Sequence, residues 1–328
     1  MMHTTLWYRR LPRMTGAQTT ATDGGSAGNA GAAFPPTTTD GASAEHGAVS
    51  EGSLIHWTTA GTVFPQTQKR FVCETRRLWR LGRLLAHVIV GAVIVHGIFA
   101  MLTLTAADRG LGRRRALVRW WNRGVLRILN VHLHLEGQIA SGAVLFTANH
   151  ISWLDVPCLR AVVDATFVAK DAVRRWPVIG RMSAQAGTIF LKRGGPNAAN
   201  ETAEQMTWSL ARRRPVIVFP EGTTSEGRTV RYFYGRLYQS AVRTRGMVQA
   251  VAIAYPHASG AHPHVPFVGD DDLVRHLWRL LNEDRIDARL VFCTPLPAAG
   301  RERRALAARS RVQVLETLGL MPGTAAEK

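Results

Sequence analysis

The stretch "NHISWLD", residues 149–155, places a histidine five residues before an aspartate. A carboxylate that accepts a hydrogen bond from one imidazole N–H fixes the ring tautomer and leaves the other nitrogen free as a base. His150 and Asp155 are therefore a candidate catalytic pair. Their spacing does not put them on one face of a continuous helix, where residues i and i+4 meet, so the pair requires a bend between them.

The same stretch also predicts the start of a helix. Ser152 and Asp155 match the S-x-x-D capping box, in which the hydroxyl and the carboxylate satisfy free backbone N–H groups of the first turn. A helix start alone would leave His150 as an ordinary loop residue. The stretch by itself supports both interpretations.

A second group of polar residues follows an apolar run in "VIVFPEGTTSEG", residues 216–227. Glu221, Gly222 and Thr223 bring a carboxylate, a flexible backbone and a hydroxyl to the end of a predicted strand. A simple turn accounts for the proline and the glycine, but not for this density of polar groups after "VIVF".

A third stretch, "GTIFLKRGG" at residues 187–195, ends an apolar run in two adjacent cations, Lys192 and Arg193. Lysine and arginine side chains both bind phosphate oxygens, and arginine does so through two parallel hydrogen bonds. The two residues form either a solvated strand end or a clamp for a phosphate group.

The elements that must position these residues alternate between strands and helices from about residue 120 onward. Short apolar runs predict buried strands over 142–148, 165–170, 187–193, 215–222, 248–256 and 288–296. Helical stretches between them include 199–214 and 235–246. This alternation predicts an α/β fold with helices on a mixed or largely parallel sheet, in which functional residues collect at the carboxyl ends of the strands.

The N-terminal part of the chain has a different character. Residues 1–70 are rich in Gly, Ala, Thr and Ser, which predicts a disordered tail. Residues 84–107 contain no Lys, Arg, Asp or Glu, which predicts an N-terminal membrane helix inside a basic-flanked segment, 71–115. The flanking arginines suit anionic headgroups and leave open a full span or insertion into one leaflet. Residues 116–328 form the predicted folded domain.

Composition narrows the classes of partner. The chain of 328 residues has 41 Lys+Arg against 23 Asp+Glu, a formal net charge of +18, which favours phosphates, anionic lipids or nucleic acid. We expect no nucleic-acid partner, because the arginines gather beside the apolar segment and no recognised nucleic-acid motif occurs. Three widely spaced cysteines predict a reduced compartment. The "HPH" stretch at 262–264 lacks a third zinc ligand, so we expect no metal.

In order and approximate spacing, four stretches resemble the four blocks of the glycerolipid acyltransferase family of the PlsC type. The matching stretches are H-x4-D at 150–155, the block with a basic end at 187–193, F-P-E-G-T at 219–223 and the apolar block ending in proline at 251–256. The combination of H-x4-D with F-P-E-G-T is the most specific part. The resemblance covers about residues 120–300.

This resemblance implies an O-acyltransferase at the cell (inner) membrane, with its catalytic domain facing the cytoplasm. Such an enzyme moves a fatty acyl group from acyl-CoA or acyl carrier protein, a co-substrate and not a bound cofactor, to a hydroxyl of a membrane lysophospholipid. His150 would be the general base and Asp155 would orient it, with direct transfer and no acyl-enzyme. The residues implied for the acceptor are Lys192 and Arg193 on its phosphate, and Glu221, Gly222 and Thr223 around its hydroxyl groups.

The expected acceptor is 1-acyl-sn-glycerol-3-phosphate, which gives phosphatidic acid. Members that form phosphatidic acid usually have an arginine after F-P-E-G-T, whereas this chain has Thr224. Relatives with a second threonine include lyso-ornithine lipid acyltransferases, so a lysolipid without a phosphate is the alternative acceptor. A catalytically inactive lipid-binding relative is a further alternative, and the intact His150, Asp155 and Glu221 argue against it.

Overall fold

The computed structural model describes residues 8–10, 66–94, 97, 107–176, 179–191 and 198–320. The helices in these residues are α1 (Gln66–Val93), α2 (Ala107–Ile128), α3 (Asp155–Val162), α4 (Asp171–Arg174), α5 (Ile179–Gln185), α6 (Ala198–Ala211), α7 (Gln239–Thr244), α8 (Leu273–Leu280) and α9 (Arg303–Leu318). The strands are β1 (Tyr8–Arg10), β2 (Val131–Gly137), β3 (Val144–Ala148), β4 (Thr166–Lys170), β5 (Ile189–Leu191), β6 (Val216–Val218), β7 (Met247–Ala254), β8 (Pro256–His257), β9 (Gly260–Ala261), β10 (Ile286–Phe292) and β11 (Leu296–Pro297).

In the described part of the chain, nine strands form one mixed sheet in the order β1-β2-β10-β7-β3-β6-β4-β5, with β11 paired to β7. On one side of β7, the strands β3, β6, β4 and β5 are all parallel to it. On its other side, β10 is antiparallel to β7 and parallel to β2. The predicted α/β fold, with a mostly parallel sheet flanked by helices, is confirmed.

Side chains that alternate along the central strands enter two cores, one on each face of the sheet. In β3, Val144, Phe146 and Ala148 point to the face covered by α2, α3 and α8, while Leu145 points to the face covered by α6, α7 and α9. All five residues of β3 are buried, as expected for a parallel strand with helices on both faces. The strand that leads to His150 is therefore fixed by packing on both sides.

Each of the predicted apolar runs contains a strand, but β2 was missed. His132 and His134 interrupt the apolar residues of β2, so its sequence lacks a continuous buried run. In the structure both histidines are half-buried, and His134 Nε2 lies 2.6 Å from Asp287 Oδ1 on the neighbouring β10. A strand near the edge of the sheet can carry such polar positions, because one of its faces is only partly covered.

The predicted membrane helix over 84–107 is not shown. Helix α1 contributes residues 84–93 of this segment, and the rest of the helix, 66–83, contains many charged residues. Residues 95, 96 and 98–106 lie outside the described residues. Among the helices that are described, none combines the length and the apolar character needed to cross a bilayer.

Most of the tail predicted to be disordered, 1–70, also lies outside the described residues. Two parts of it are described: β1 pairs in parallel with β2, and residues 66–70 begin α1. The disordered tail over 1–70 therefore stays a prediction. Helix α2 crosses the boundary predicted at 115–116.

Gly137 ends β2 at a position that suits only glycine. Its φ is +78°, and an added Cβ would overlap the carbonyl oxygen of Phe292 on β10. Gly137→Ala should therefore lower the free energy of unfolding more than Gly300→Ala, where φ is +71° and no atom lies within 4 Å of the added Cβ. The Gly300 change carries only the left-handed backbone penalty of about 1–2 kcal/mol. Denaturant titration of both full-length variants measures the difference, and equal losses would contradict the close contact at Gly137.

Candidate active site

Three loops meet at the carboxyl edge of the sheet, because β3 lies between β6 and β7 and all three strands are parallel. His150 follows β3, Glu221 follows β6 and Tyr255 follows β7. Hydrogen bonds at this edge join side chains and backbone groups that are 71 and 100 positions apart in the chain. The topology thus assembles one site from distant stretches, at the place where parallel sheets commonly bind ligands.

His150 and Asp155 form a hydrogen-bonded pair, with 2.7 Å between the histidine Nδ1 and the aspartate Oδ2. A turn, closed by the Asp155 N–H donating to the Ser152 carbonyl oxygen, supplies the bend that the five-residue spacing requires. The His150 side chain is 19% exposed, whereas the Asp155 side chain has no exposed area. The ring is therefore partly accessible, and no described residue bonds to its Nε2.

The Asp155 carboxylate accepts four hydrogen bonds. Its Oδ2 accepts from His150 Nδ1 and from the backbone N–H groups of Ile151 at 2.7 Å and Ser152 at 3.0 Å. Its Oδ1 accepts from the Tyr255 hydroxyl at 2.7 Å. Four donors and no acceptors match an ionised carboxylate, which can only accept.

Of the two side-chain contacts that define the predicted capping box, one is present. Asp155 does reach back to the Ser152 N–H. The Ser152 hydroxyl, however, is buried without a hydrogen-bond partner among the described residues, and α3 begins at Asp155 after Leu154 as its N-cap residue. The turn that places the carboxylate beside the imidazole replaces the first helical turn that the motif predicts.

The loop after β6 contacts His150 on three sides. The Phe219 ring stacks on the imidazole, with 3.9 Å between ring centroids and 13° between planes. Glu221 Oε1 accepts the His150 N–H at 2.8 Å, and the Ser225 N–H donates to the His150 carbonyl oxygen at 2.8 Å. Phe219 therefore restricts the ring, while Glu221 and Ser225 fix the backbone.

Glu221 connects its own loop to the His150 loop. It is 3% exposed, and its Oε2 accepts the Arg231 N–H at 3.0 Å. Burial raises the pKa of Glu221, and the two backbone donors oppose that rise. The sequence predicted a substrate hydroxyl on this carboxylate, whereas in the structure both of its oxygens bond to backbone N–H groups.

The other two residues predicted to shape the acceptor site border the accessible side of the same loop. Gly222 is exposed and has φ +68°, a left-handed conformation that favours glycine. Thr223 is half-buried. Both lie next to Glu221, so a molecule bound beside His150 could reach them.

The predicted phosphate clamp, Lys192 and Arg193, lies outside the described residues. The preceding strand, β5, ends at Leu191 on the same edge of the sheet as the His150 loop. Strands β4 and β6 separate β5 from β3, which corresponds to roughly 14 Å at about 4.8 Å per strand. The role of the two cations stays a prediction.

Thr224, the position where the sequence departs from the family pattern, is tied to the loop that precedes α8. Its hydroxyl donates to the Phe267 carbonyl oxygen. The Phe267 N–H in turn donates to the Ile151 carbonyl oxygen at 2.9 Å. One loop residue therefore links Thr224 with the stretch that carries His150.

His276 of α8 holds the loop that precedes this helix. His276 was not identified from the sequence. Its Nδ1 accepts a hydrogen bond from the Trp153 indole N–H at 2.9 Å, so its Nε2 carries the proton. That Nε2–H donates to the carbonyl oxygens of Val265 at 3.1 Å and Pro266 at 3.2 Å. Burial lowers the pKa of His276, which favours this neutral form. No sequence signal indicates the contact, because the two partners are 123 positions apart.

Asn149 and Tyr255 were also missed. The Asn149 side chain bonds to both backbone groups of Ile253 on β7, donating to the carbonyl oxygen at 2.9 Å and accepting the N–H at 2.7 Å. Tyr255 donates to Asp155. Each is a polar side chain at the end of an apolar run. That position is the sequence signal by which both residues could have been identified.

This arrangement can take up a proton and stabilise it. Asp155 holds the Nδ1–H tautomer and leaves Nε2 of His150 available as a base. Among the described residues, no serine or cysteine side chain bonds to Nε2, so a molecule bound at this edge of the sheet could reach it. A hydroxyl that becomes a nucleophile on losing its proton fits that position.

Three similarities to known proteins bear on this site. The family described as "Acyltransferase" matches residues 130–254. A lyso-ornithine lipid O-acyltransferase of Pseudomonas aeruginosa is 37% identical over 243 residues, which cover 74% of this chain and 93% of the relative. A 1-acyl-sn-glycerol-3-phosphate acyltransferase of Neisseria meningitidis is 34% identical over 194 residues, which cover 58% of this chain and 76% of the relative.

The fold is also similar to a solved structure. The crystal structure of the 1-acyl-sn-glycerophosphate (LPA) acyltransferase PlsC from Thermotoga maritima aligns with a TM-score of 0.53 and 21% sequence identity. The alignment covers 77% of this chain and 100% of that chain. At this identity the likeness establishes a shared fold.

Glu221→Gln should lower the thermal midpoint, because the amide NH2 must face one of the two backbone N–H groups that the carboxylate now satisfies. A buried donor left unpaired destabilises by about 1–3 kcal/mol. Glu226→Gln is the matched control, since its side chain is 64% exposed in the same loop. Differential scanning calorimetry of the two full-length variants gives the comparison. Equal midpoints would show that Glu221 does not hold the two loops together.

Proposed function

Since the chain belongs to the glycerolipid acyltransferase family and is an O-acyltransferase, we propose that His150 is its general base and that Asp155 orients the base. The observation that carries this proposal is the 2.7 Å hydrogen bond between His150 Nδ1 and Asp155 Oδ2, on a ring that is 19% exposed. The proposed reaction moves a fatty acyl group from acyl-CoA or acyl carrier protein to the free hydroxyl of a lysolipid.

In the proposed step, the acceptor hydroxyl oxygen attacks the thioester carbonyl carbon while His150 Nε2 takes the hydroxyl proton. A C–O bond forms, and the C–S bond breaks as the tetrahedral adduct collapses. The proton on Nε2 then passes to the departing thiolate, which leaves as a free thiol. Asp155 stabilises the imidazolium that exists between these two proton transfers. Atoms and charge balance without a further reactant in this direct transfer.

For the acceptor we favour a lyso-ornithine lipid. This chain matches 93% of the length of the Pseudomonas aeruginosa relative, which is named a lyso-ornithine lipid O-acyltransferase. Thr224 replaces the arginine usual in phosphatidic-acid-forming members, and its hydroxyl donates to Phe267. The second candidate is 1-acyl-sn-glycerol-3-phosphate, because a relative of that activity is 34% identical to this chain. Lys192 and Arg193 would then hold its phosphate.

An apolar stripe on α1 supports association with the membrane that contains these lipids. The stripe consists of Leu78, Leu85, Ile89 and Val93, whose spacing of seven, four and four places them on one face of the helix. Each is more than half exposed. The opposite face packs on α2, where His87 Nε2 lies 2.8 Å from a backbone carbonyl oxygen.

Residues beside the stripe suit the headgroup layer. Trp79 is 63% exposed, and the Arg83 guanidinium lies 4.4 Å above its ring. Aromatic and cationic side chains are favoured at the level of anionic headgroups. Because acyl-CoA and acyl carrier protein are water-soluble thioesters, we propose that this face docks on the cytoplasmic side of the inner membrane.

The proposed reaction is tested with full-length enzyme, an acyl thioester, and lyso-ornithine lipid or lysophosphatidic acid in separate reactions. We expect free thiol release coupled to ornithine lipid. His150→Ala should lower turnover by about 10²–10⁴-fold, the usual contribution of a positioned base. His257→Ala, an exposed histidine outside the site, is the control and should keep full turnover. Phosphatidic acid as the sole product would reverse the acceptor assignment, and a fully active His150→Ala would remove the base assignment.

The double variant Leu85→Glu/Ile89→Glu should weaken binding to phosphatidylglycerol vesicles by about tenfold or more, because charges on the apolar face oppose its insertion. Ile139→Glu changes an apolar loop residue that is 42% exposed and lies off the stripe, so it serves as the control. Vesicle sedimentation measures both variants. Unchanged binding of the double variant would assign membrane attachment to another part of the chain.

A further inference from the structure

The carboxylate that orients His150 has hydrogen-bond donors on both oxygens, and the donor on one of them is a tyrosine. The Tyr255 hydroxyl lies 2.7 Å from Asp155 Oδ1. The other oxygen, Oδ2, already accepts from His150 and from the N–H groups of Ile151 and Ser152. Among the described residues, Tyr255 is the one donor to Oδ1.

Without this donor, Oδ1 would be buried and unpaired, since the Asp155 side chain has no exposed area. An unpaired buried acceptor is destabilised, and a charged one is destabilised most. Rotation of the carboxylate toward other donors would relieve that state, but it would also move Oδ2 away from His150. The Tyr255 hydroxyl therefore fixes the carboxylate plane in which Oδ2 faces the imidazole.

The direction of the Tyr255–Asp155 hydrogen bond follows from the surrounding chemistry. An ionised carboxylate only accepts, so the hydroxyl donates. Burial and the Asp155 charge raise the pKa of Tyr255 well above its usual range. Burial likewise raises the pKa of the Cys158 thiol, whose Sγ lies 3.9 Å from the hydroxyl oxygen. Both groups keep their protons at neutral pH, so Tyr255 remains a donor.

The sheet holds the tyrosine in this place. Tyr255 directly follows β7, and its carbonyl oxygen accepts the His262 N–H at 2.9 Å. Two residues earlier, Ile253 is bonded through its backbone to the Asn149 side chain, which adjoins His150. The tyrosine and the imidazole are thus carried by neighbouring strands that are themselves cross-linked.

We propose that Tyr255 is a positioning residue for acyl transfer, whose hydroxyl donates to Asp155 Oδ1 so that Oδ2 stays aligned with His150 Nδ1. The proposal rests on the proposed role of His150 as the base. Because Tyr255 acts through Asp155, it sets the rate of the chemical step and leaves the binding of both substrates unchanged.

The pH dependence of the reaction gives a second readout. The ionisable groups that face the pair come from three elements: Cys158 on α3, Glu221 in the loop after β6, and Tyr255 after β7. Tyr255→Phe leaves the first two in place and removes one donor from Asp155. Because Oδ2 is then no longer held in line with Nδ1, the carboxylate stabilises the imidazolium less, and the acidic limb of the kcat profile moves to lower pH.

The test compares Tyr255→Phe with Tyr238→Phe in the full-length enzyme, using an acyl thioester and the acceptor that the wild type acylates. Tyr238 is a fully buried tyrosine in the core on the other face of the sheet, so it controls for the loss of a buried hydroxyl. Tyr255→Phe should lower kcat by about tenfold, as expected for one hydrogen bond to a charged partner. Both KM values should stay within about twofold. Tyr238→Phe should change neither kcat nor the acidic limb.

Equal kcat values for the two variants, a raised KM at unchanged kcat, or an unmoved acidic limb would each overturn the proposal. His150→Ala in the same assay separates the two levels of inference. If His150→Ala keeps its turnover, the base assignment fails. If it loses turnover while Tyr255→Phe behaves like Tyr238→Phe, only the inference about Tyr255 fails.

Discussion

A single buried negative charge, the carboxylate of Asp155, is the constraint on which the site depends. An ionised carboxylate is strongly destabilised away from water unless hydrogen-bond donors surround it. Four donors surround this carboxylate: the imidazole of His150, two backbone N–H groups of the turn, and the Tyr255 hydroxyl. Each of them is held in place by its hydrogen bond to Asp155. The geometry of the turn and the orientation of the His150 ring are both consequences of satisfying this charge.

The sheet makes this set of hydrogen bonds to Asp155 possible because β3 has β6 and β7 as its parallel neighbours. Their carboxyl ends lie side by side, so the loop after β6 can hold His150 through Phe219, Glu221 and Ser225. The end of β7 can reach Asp155 from the other side. A second layer of contacts from Phe267 and His276 then connects the same loops to α8. The imidazole of His150 is fixed by packing and hydrogen bonds that come from at least four elements.

Burial separates the hydrogen-bonded network around Asp155 from the exposed residues nearby. Asp155, Glu221 and Tyr255 are almost fully buried and bond to protein groups. Gly222 and Thr223 border the accessible side of the loop, and the apolar stripe of α1 is exposed as well. Changes in these exposed residues can therefore be made without disturbing the buried network.

Local chemistry and periodicity determined much of this protein from sequence alone. Apolar runs located the central strands, and residue types at strand ends marked His150, Asp155 and Glu221, because both signals act within a few residues of the chain. They did not reveal β2, whose histidines become acceptable only beside β10. The role of Glu221 as a connection between loops, and the donation from Tyr255 to Asp155, were decided by tertiary structure alone. These contacts join residues 71 and 100 positions apart, and only the order of strands in the folded sheet brings such residues within hydrogen-bond distance.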